Sequence, residues 1–147
     1  MRLTNYTDYA LRSLVFLGLR RGESVTIPDI AVAFDISENH LRKVIRSLSQ
    51  AGLVETTRGR NGGLRLGKAP EQIRIGSVVR MMEEDFSLVH CMGSGFCRIQ
   101  GVCRLQGFFI EALEAWFTVL DGYTLADALK NPSGMIRRLG LKTAATA

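Results

Sequence analysis

Three cysteines are the residues of this chain whose type and spacing could support chemistry. Cys91, Cys97 and Cys103 are the only cysteines among its 147 residues, and five residues separate each from the next. Glycines at positions 93, 95 and 101 lie between them, so the backbone can bend enough to aim several sulfur atoms at one centre. Three thiolates on a short loop suit a soft metal, which means zinc or an iron–sulfur cluster. Either needs a fourth ligand, and the loop does not obviously supply one.

Other interpretations of the cysteines stay open. An odd number of thiols suits a closed disulfide framework poorly, but free cysteines also pack as small hydrophobic side chains or act as redox-active thiols. A metalloenzyme is disfavoured, because the sequence has no cofactor-binding glycine motif and no obvious acid–base constellation. Its two histidines are His40 and His90. His90 adjoins Cys91, and adjacent residues seldom bind one metal together. We therefore expect a protein that is not an enzyme.

The net charge of +5 is unevenly distributed along the chain. Residues 1–68 contain 11 Lys and Arg against 6 Asp and Glu, whereas residues 69–147 contain 8 of each kind. The excess of positive charge therefore lies in the first half, as expected if that half binds a polyanion. No apolar run approaches the ~20 residues of a membrane span, and the first residues lack the apolar region of a signal peptide. These features predict a cytoplasmic protein with no membrane partner.

The elements that would bind such a polyanion begin with two predicted helices. Asn5 is expected to cap the first, with Asp8 in its first turn, and apolar residues at helical spacing continue to about Arg20. Thr26 and Asp29 have the spacing of a capping box for a short second helix.

A third predicted helix has a basic outer face. Ser37 is expected to cap it, and it continues to Ala51 and stops at Gly52. Its apolar residues recur at helical spacing and must face inward. This leaves a polar and basic set outside: Asn39, His40, Arg42, Lys43 and Arg46. Two helices joined by a tight turn, the second with a basic face, describe a DNA-binding helix-turn-helix.

A basic hairpin follows the third helix. The predicted strands are Leu53–Thr57 and Leu64–Leu66, and Asn61-Gly62 between them is a strong turn signal. A helix-turn-helix followed by a hairpin is the order of a winged helix, whose wing reaches phosphates or the minor groove. The expected DNA-binding residues of this wing are Arg58, Arg60, Asn61 and Arg65.

A wide aromatic stripe follows the cysteine loop. Its members recur at the spacing of one helix face: Leu105, Phe108, Phe109, Ala112, Leu113, Trp116, Phe117 and Leu120. The stripe exceeds what one small winged helix needs to cover, so we expect a dimerisation helix. The alternative is a helix of the chain's own core.

The chain therefore divides into five predicted segments. Residues 1–68 form a winged helix-turn-helix, and residues 69–90 form a connection with a helix at 77–84. Residues 91–103 form a metal-binding loop, and residues 104–130 contain the dimerisation helix and a short C-terminal helix. Pro132 breaks that helix, and residues 131–147 are expected to be a flexible tail. The predicted fold class is mainly α with a small β-hairpin wing.

Several stretches together resemble one known family. They are MRLTNYTDYALR at the start, NHLRKVIRSLSQAGLVETTRGRNGGLRLG in the winged helix, IRIGSVVR beyond it, the three-cysteine loop and the late YTLADAL. These are similar to the nitric-oxide-sensing repressors of the winged-helix family that also contains the iron–sulfur regulator IscR. The similarity covers nearly the whole chain. The cysteine spacing is shared by several branches, so it specifies the family and not the branch.

Two positions separate the branches in this resemblance. IscR-like members carry a histidine three residues after the last cysteine, where this chain has Gln106. The nitric-oxide-sensing members use an aspartate of the first helix that reaches across from the other subunit, and here that position is Asp8, followed by Arg12. From the residues alone, Asp8 is an ordinary helix acid paired with Arg12. The resemblance instead implies that Asp8 is the fourth ligand and that Arg12 lies beside the cluster.

The resemblance implies a homodimeric repressor of transcription that binds double-stranded operator DNA. Cys91, Cys97 and Cys103, with Asp8 of the partner subunit, are expected to hold an iron–sulfur cluster, [4Fe–4S] in preference to [2Fe–2S]. Nitric oxide is the expected signal that releases the DNA. The alternatives are an iron- or redox-responsive regulator of the same fold, and a zinc-stapled DNA-binding protein without a sensing role.

Overall fold

Helices make up most of the chain, and one two-stranded hairpin interrupts them. The computed structural model describes residues 2–59 and 62–141. Its elements in chain order are α1 (Asn5–Leu19), α2 (Ile27–Phe34), α3 (Glu38–Gln50), β1 (Val54–Thr57), β2 (Gly63–Leu66), α4 (Ile75–Met82), α5 (Leu105–Asp121), α6 (Leu125–Ala128) and α7 (Pro132–Arg138). Two 3-10 turns lie at Pro70–Gln72 and His90–Met92. The predicted fold class, mainly α with a small hairpin, is confirmed.

Side-chain caps determine where the first two helices begin. Thr26 N donates to Asp29 Oδ2 at 2.7 Å and Asp29 N donates to Thr26 Oγ1 at 3.4 Å, so the predicted capping box of α2 is confirmed. The prediction that Asn5 caps α1 is wrong, because Thr4 occupies that position and accepts a hydrogen bond from Thr7 N. Thr4 has the extended backbone of a cap residue, whereas Asn5 is already helical.

One apolar core joins α1 to α4 and the hairpin. Leu14 of α1, Ile30 of α2 and Leu41 of α3 are fully buried in it. Val78 of α4 and Leu125 of α6 reach the same core. We call α1–α4 together with the hairpin the N-terminal body. The predicted helix after the wing therefore packs into the same core as α1–α3.

The hairpin is anchored to the N-terminal body through strand β2, close to the turn. Strands β1 and β2 are antiparallel, with Val54 opposite Leu66 and Thr57 opposite Gly63. Leu64 also pairs with Val25, whose carbonyl accepts from Leu64 N at 2.7 Å. This bridge between Leu64 and Val25 holds the wing against the segment that precedes α2.

The bounds of α4 and the C-terminal tail both differ from the prediction. Helix α4 begins at Ile75 and ends at Met82, two residues earlier at each end than expected. The expected flexible tail is helical from Pro132 to Arg138, because Asn131 caps α7 by accepting from Gly134 N. Leu139 and Leu141 then pack against the core of the N-terminal body. Residues 142–147 of the expected tail lie outside the described residues.

Helix α5 divides into two halves that differ in burial. Phe117, which the sequence assigned to the dimer interface, is only 8% exposed and belongs to the chain's own interior. Its ring lies 4.8 Å from Phe86 and 4.9 Å from Trp116. The C-terminal half of α5 is therefore partly a core helix, as the alternative interpretation held. No helix within residues 2–59 and 62–141 is long and apolar enough to cross a bilayer.

Candidate nucleic-acid interface and cysteine loop

Helix α3 carries the candidate DNA-reading surface. Leu41, Val44 and Leu48 are fully buried, which fixes the rotation of the helix about its axis. All five predicted contact residues are therefore exposed on the opposite side: Asn39, His40, Arg42, Lys43 and Arg46. Arg42 Nη2 is 2.7 Å from Glu38 Oε2, one turn earlier. An exposed polar and basic helix face of this kind is typical of a recognition helix.

The wing adds further positive charge beside α3. Arg58 at the end of β1 and Arg65 on β2 are both exposed, as the sequence predicted. The turn is closed by a hydrogen bond from Gly62 N to Gly59 O at 2.9 Å. The other two predicted wing residues, Arg60 and Asn61, lie outside the described residues.

Helix α1 contacts α3 through two tyrosines. The Tyr6 hydroxyl donates to the carbonyl of Lys43 at 3.1 Å and lies 2.7 Å from Ser47 Oγ. The Tyr9 ring stacks on His40, with centroids 6.3 Å apart. These contacts connect the N-terminal turns of α1 to the helix that carries the DNA-reading surface, and sequence reasoning missed both.

Asp8 lies between these two tyrosines and is accessible. Its Oδ2 atom is 2.8 Å from Arg12 Nη2, and the Asp8 side chain is 42% exposed. The Arg12 guanidinium also lies 5.8 Å from the centre of the Phe34 ring. Within one chain Asp8 is thus the helix acid that its spacing to Arg12 indicates, and its exposed oxygen can also be reached from outside the protomer.

The three cysteines lie on a loop with little regular structure. All three are free thiols and half-buried. Cys91 is in the 3-10 turn at His90–Met92, and Cys103 N donates to the Ile99 carbonyl at 3.0 Å just before α5. Among the described residues, no three His, Cys, Asp or Glu side chains are gathered to hold a metal ion. The donors fit a thiolate-ligated group in chemistry, because three thiols lie on one short loop.

Two contacts restrain this loop. Gln106 Nε2 of α5 donates to the Cys91 carbonyl at 2.7 Å, so the loop is closed at its base. Gly95 lies so close to His90 that an added Cβ would be 2.5 Å from His90 Cδ2. The Gln106 contact spans 15 residues and could not be found from the spacing of the cysteines.

The loop and the first half of α5 form one uncovered apolar surface. Phe96 is 85% exposed, and several apolar neighbours in sequence are exposed with it: Ile99, Val102, Leu105, Phe108, Phe109 and Ile110. Ala112 is exposed, whereas Leu113, Trp116 and Leu120 are half-buried on the chain itself. Of the predicted interface residues, those in the first half of α5 are available to a partner.

Comparison with known proteins decides the family. The profile of the Rrf2 family, described as "Iron-dependent Transcriptional regulator", matches residues 3–131. The chain belongs to the Rrf2 family. The Rrf2 match confirms the family that the sequence motifs predicted.

Named relatives and a solved structure agree with this assignment. The HTH-type transcriptional regulator NsrR of Bacillus subtilis (strain 168) is 51% identical over 145 residues, which are 97% of this chain and 99% of that protein. NsrR of Geobacillus kaustophilus (strain HTA426) is 53% identical over 138 residues, 92% of this chain and 94% of that one. The structure of T. potens IscR has a TM-score of 0.73 at 27% identity and covers 89% of this chain and 88% of its own. The chain is therefore a DNA-binding transcriptional regulator with a winged-helix fold, and not an enzyme.

Proposed function

We propose that this Rrf2 protein is a homodimeric repressor whose hold on operator DNA depends on an iron–sulfur cluster and is released by nitric oxide. One observation carries the proposal. Three free, half-buried thiols lie on a loop that is continuous with an uncovered apolar helix face, in a chain whose other end exposes a basic recognition helix. This arrangement supports a division of roles in which the loop senses, the helix face dimerises and the recognition helix binds DNA.

The DNA-binding part of the proposal depends on α3 and the wing. Asn39, His40 and Arg42 are near the start of α3, where a recognition helix contacts base edges. Arg58 and Arg65 are placed to neutralise phosphates, which is the commoner role of an arginine in such an interface. The positive excess of residues 1–68 supports this assignment, and affinity should fall steeply with added salt.

Dimerisation is supported by the apolar surface of the loop and the first half of α5. Phe96, Phe108 and Phe109 are large side chains that a soluble monomer would rarely leave together in water. A second copy of the chain is the natural cover, because regulators of this kind read two half-sites about 34–36 Å apart with one recognition helix from each subunit. A homodimer is also required if Asp8 of the partner subunit is to bind a cluster held by the loop of this chain.

The proposed ligands are Cys91, Cys97 and Cys103 with Asp8 of the partner subunit, and the cluster is [4Fe–4S] in preference to [2Fe–2S]. When bound, such a cluster would supply the iron that reacts with nitric oxide. A carboxylate is a harder ligand than a thiolate, so the bond that Asp8 would make to iron would be the most exchangeable of the four. The side chains of Asp8 and Arg12 are 42% and 45% exposed, so both can face a second subunit without a buried charge being moved.

The contacts of α1 offer a path from Asp8 to the DNA-reading surface. Tyr6 and Tyr9 flank Asp8 in sequence and touch Lys43, Ser47 and His40 of α3. A displacement of the first turns of α1, caused by binding at Asp8, would therefore be transmitted to α3 within the same chain. A coupling of ~1–3 kcal/mol is typical for two linked sites.

The direct test combines composition with DNA binding. Anaerobically purified protein should contain iron and inorganic sulfide, and its absorption should disappear in Cys97→Ala together with most of its operator affinity. Asp8→Ala should still bind the cluster but lose it faster or respond differently to nitric oxide. Equal operator affinity of loaded and cluster-free protein at matched salt would overturn the proposal, and zinc without sulfide would leave a metal-stapled DNA-binding protein.

An iron- or redox-responsive regulator is the second candidate. The family description names iron dependence and not nitric oxide, which favours this alternative. Titrating operator binding separately with nitric oxide, oxygen and an iron chelator distinguishes the two. Release at stoichiometric nitric oxide, with slow or no release by the other two agents, supports the first candidate.

A further inference from the structure

An ion pair joins α4 to the end of α5. Arg80 Nη1 and Nη2 donate to Asp121 Oδ1 and Oδ2, each at 2.7 Å, across 41 residues of sequence. Arg74 Nη1 also donates to the Asp121 carbonyl at 2.7 Å. A two-point contact between a planar guanidinium and a carboxylate fixes orientation as well as distance, which a single charge contact does not.

The packing around this pair leaves it little freedom. The Arg80 guanidinium lies 4.0 Å from the centre of the Phe117 ring, so one face of it is covered. Gly76 of α4 lies against the Asp121 carboxylate. A Cβ added to Gly76 would come within 2.1 Å of Asp121 Oδ1, so only glycine permits this approach of the two helices. The Arg80 hydrogen bonds also hold the pKa of the Asp121 carboxyl below its ordinary value.

The position of Asp121 has no evident benefit for α5 itself. A carboxylate in the last turn of a helix lies at the negative end of the helix dipole and is unfavourable there without a cation. Arg80 and Arg74 supply that cation from the other side of the contact. Because the pair is half-exposed, its contribution to stability is small. What the pair does provide is a fixed orientation of the end of α5 relative to α4.

That geometry connects two parts of the molecule. Val78, Val79 and Met82 of α4 are buried, which makes α4 a rigid part of the N-terminal body. The first half of α5 carries the surface proposed to bind the partner subunit. The angle between α4 and α5 therefore determines where each recognition helix lies relative to the dimer axis.

We propose that Arg80 and Asp121 are positioning residues that set the direction in which α5 leaves the N-terminal body, and so determine the half-site spacing that the dimer accepts. This inference rests on the proposed homodimer. It assigns the spacing to a fixed contact within each chain, separate from the residues that touch DNA and from the cysteine loop.

The test measures spacing preference and not stability alone. The wild-type protein first selects its site from a random DNA pool, and binding is then measured on that site, on versions with the half-sites moved by one or two base pairs, and on a single half-site. Arg80→Lys keeps the charge and removes the two-point contact, and Asp121→Asn keeps the shape and removes the ion pair. Arg137→Lys, the same change at an exposed arginine of α7, is the matched control.

Arg80→Lys and Asp121→Asn should each remain dimeric and bind the single half-site with the affinity of the wild-type protein. Affinity for the selected site should fall about tenfold or more, because the second half-site is engaged intramolecularly only when the geometry allows it. Affinity for the shifted sites should fall less, so that the spacing profile flattens. A folded, dimeric Arg80→Lys or Asp121→Asn protein with the wild-type profile would overturn the inference, and so would a dimeric wild-type protein without any spacing preference. A wild-type protein that is monomeric by sedimentation would instead overturn the proposed dimer.

Discussion

At the scale of single residues, the long-range polar contacts are the ones that matter most and that sequence patterns reveal least. Tyr6 reaches residues 37 and 41 positions away, and Glu83 accepts from Thr4 N at 2.5 Å across 79 positions. The spacing of residues along the chain indicates neither contact. Each holds the beginning of α1, the helix that carries Asp8, against another part of the N-terminal body.

Tyr6→Phe tests the contact between α1 and α3. Removing the hydroxyl should lower the free energy of unfolding by about 1 kcal/mol, the usual net value of such hydrogen bonds. Urea denaturation followed by circular dichroism measures the change. Tyr123→Phe is the control, because the Tyr123 side chain is largely exposed. An equal loss in both variants would mean that the Tyr6 hydroxyl bonds contribute nothing specific.

Gln106→Leu tests the closure of the cysteine loop. Without the bond from Gln106 Nε2 to the Cys91 carbonyl, Cys91 of the metal-free protein should react about fivefold faster with a thiol reagent, since about 1 kcal/mol of restraint is lost. Mass spectrometry after partial labelling assigns the rate to each cysteine.

The control for that experiment is Gln100→Leu, an exposed position in the same loop. It should leave all three labelling rates unchanged. Unchanged labelling of Cys91 in Gln106→Leu would show that the hydrogen bond does not restrain the loop.

At the scale of elements, the sequence predicts what local chemistry determines. The basic face of α3 and the capping box of α2 follow from spacing within one helix, and both are confirmed. Phe117 was assigned to the wrong surface, because its helical spacing is the same whether its partner is Phe86 of its own chain or a second subunit. The cysteine spacing indicates a ligand type, but the positions of the sulfur atoms depend on contacts such as that of Gln106, which no periodicity encodes.

Helix α6 allows a test of pH dependence. Hydrogen bonds from Lys130 and then from Thr124 hold the pKa of the Asp127 carboxyl below its ordinary value of 3.8. A lowered pKa in the folded state means that the ionised carboxyl contributes stability above its ordinary pKa and that this contribution is lost as the pH falls through the folded-state pKa. The capping box of α6 should therefore be intact at neutral pH and weaken only in strong acid.

Asp127→Asn should accordingly be less stable than wild type at pH 7, and the difference should shrink as the pH falls below about 4. Thermal unfolding across this range measures it. Glu111→Gln, at an exposed position of α5, should show no such convergence. A difference between wild type and Asp127→Asn that stays constant down to low pH would show that the carboxylate charge is not what stabilises the cap.

At the scale of the whole molecule, the exposed apolar surface on the loop and the first half of α5 requires a partner that buries it. Phe108 is 54% exposed in the middle of this surface. Placing a charge there would require desolvating it against the apolar side chains of a second copy, which costs far more than one interface contact returns. Phe108→Glu should therefore be monomeric by sedimentation while keeping the helical circular dichroism of the wild type.

Val32→Glu is the control that shows whether an added charge disrupts the dimer only when it lies on the α5 surface. Val32 is 84% exposed on α2, so it is even more accessible than Phe108 but lies outside the α5 surface. The same substitution there should leave the oligomeric state unchanged. If Phe108→Glu is a monomer, it should also bind a two-half-site operator no better than a single half-site, since the second recognition helix is no longer tethered. A dimeric Phe108→Glu protein would show that this surface is not where the two chains meet, and the dependence of half-site spacing on α5 would be lost with it.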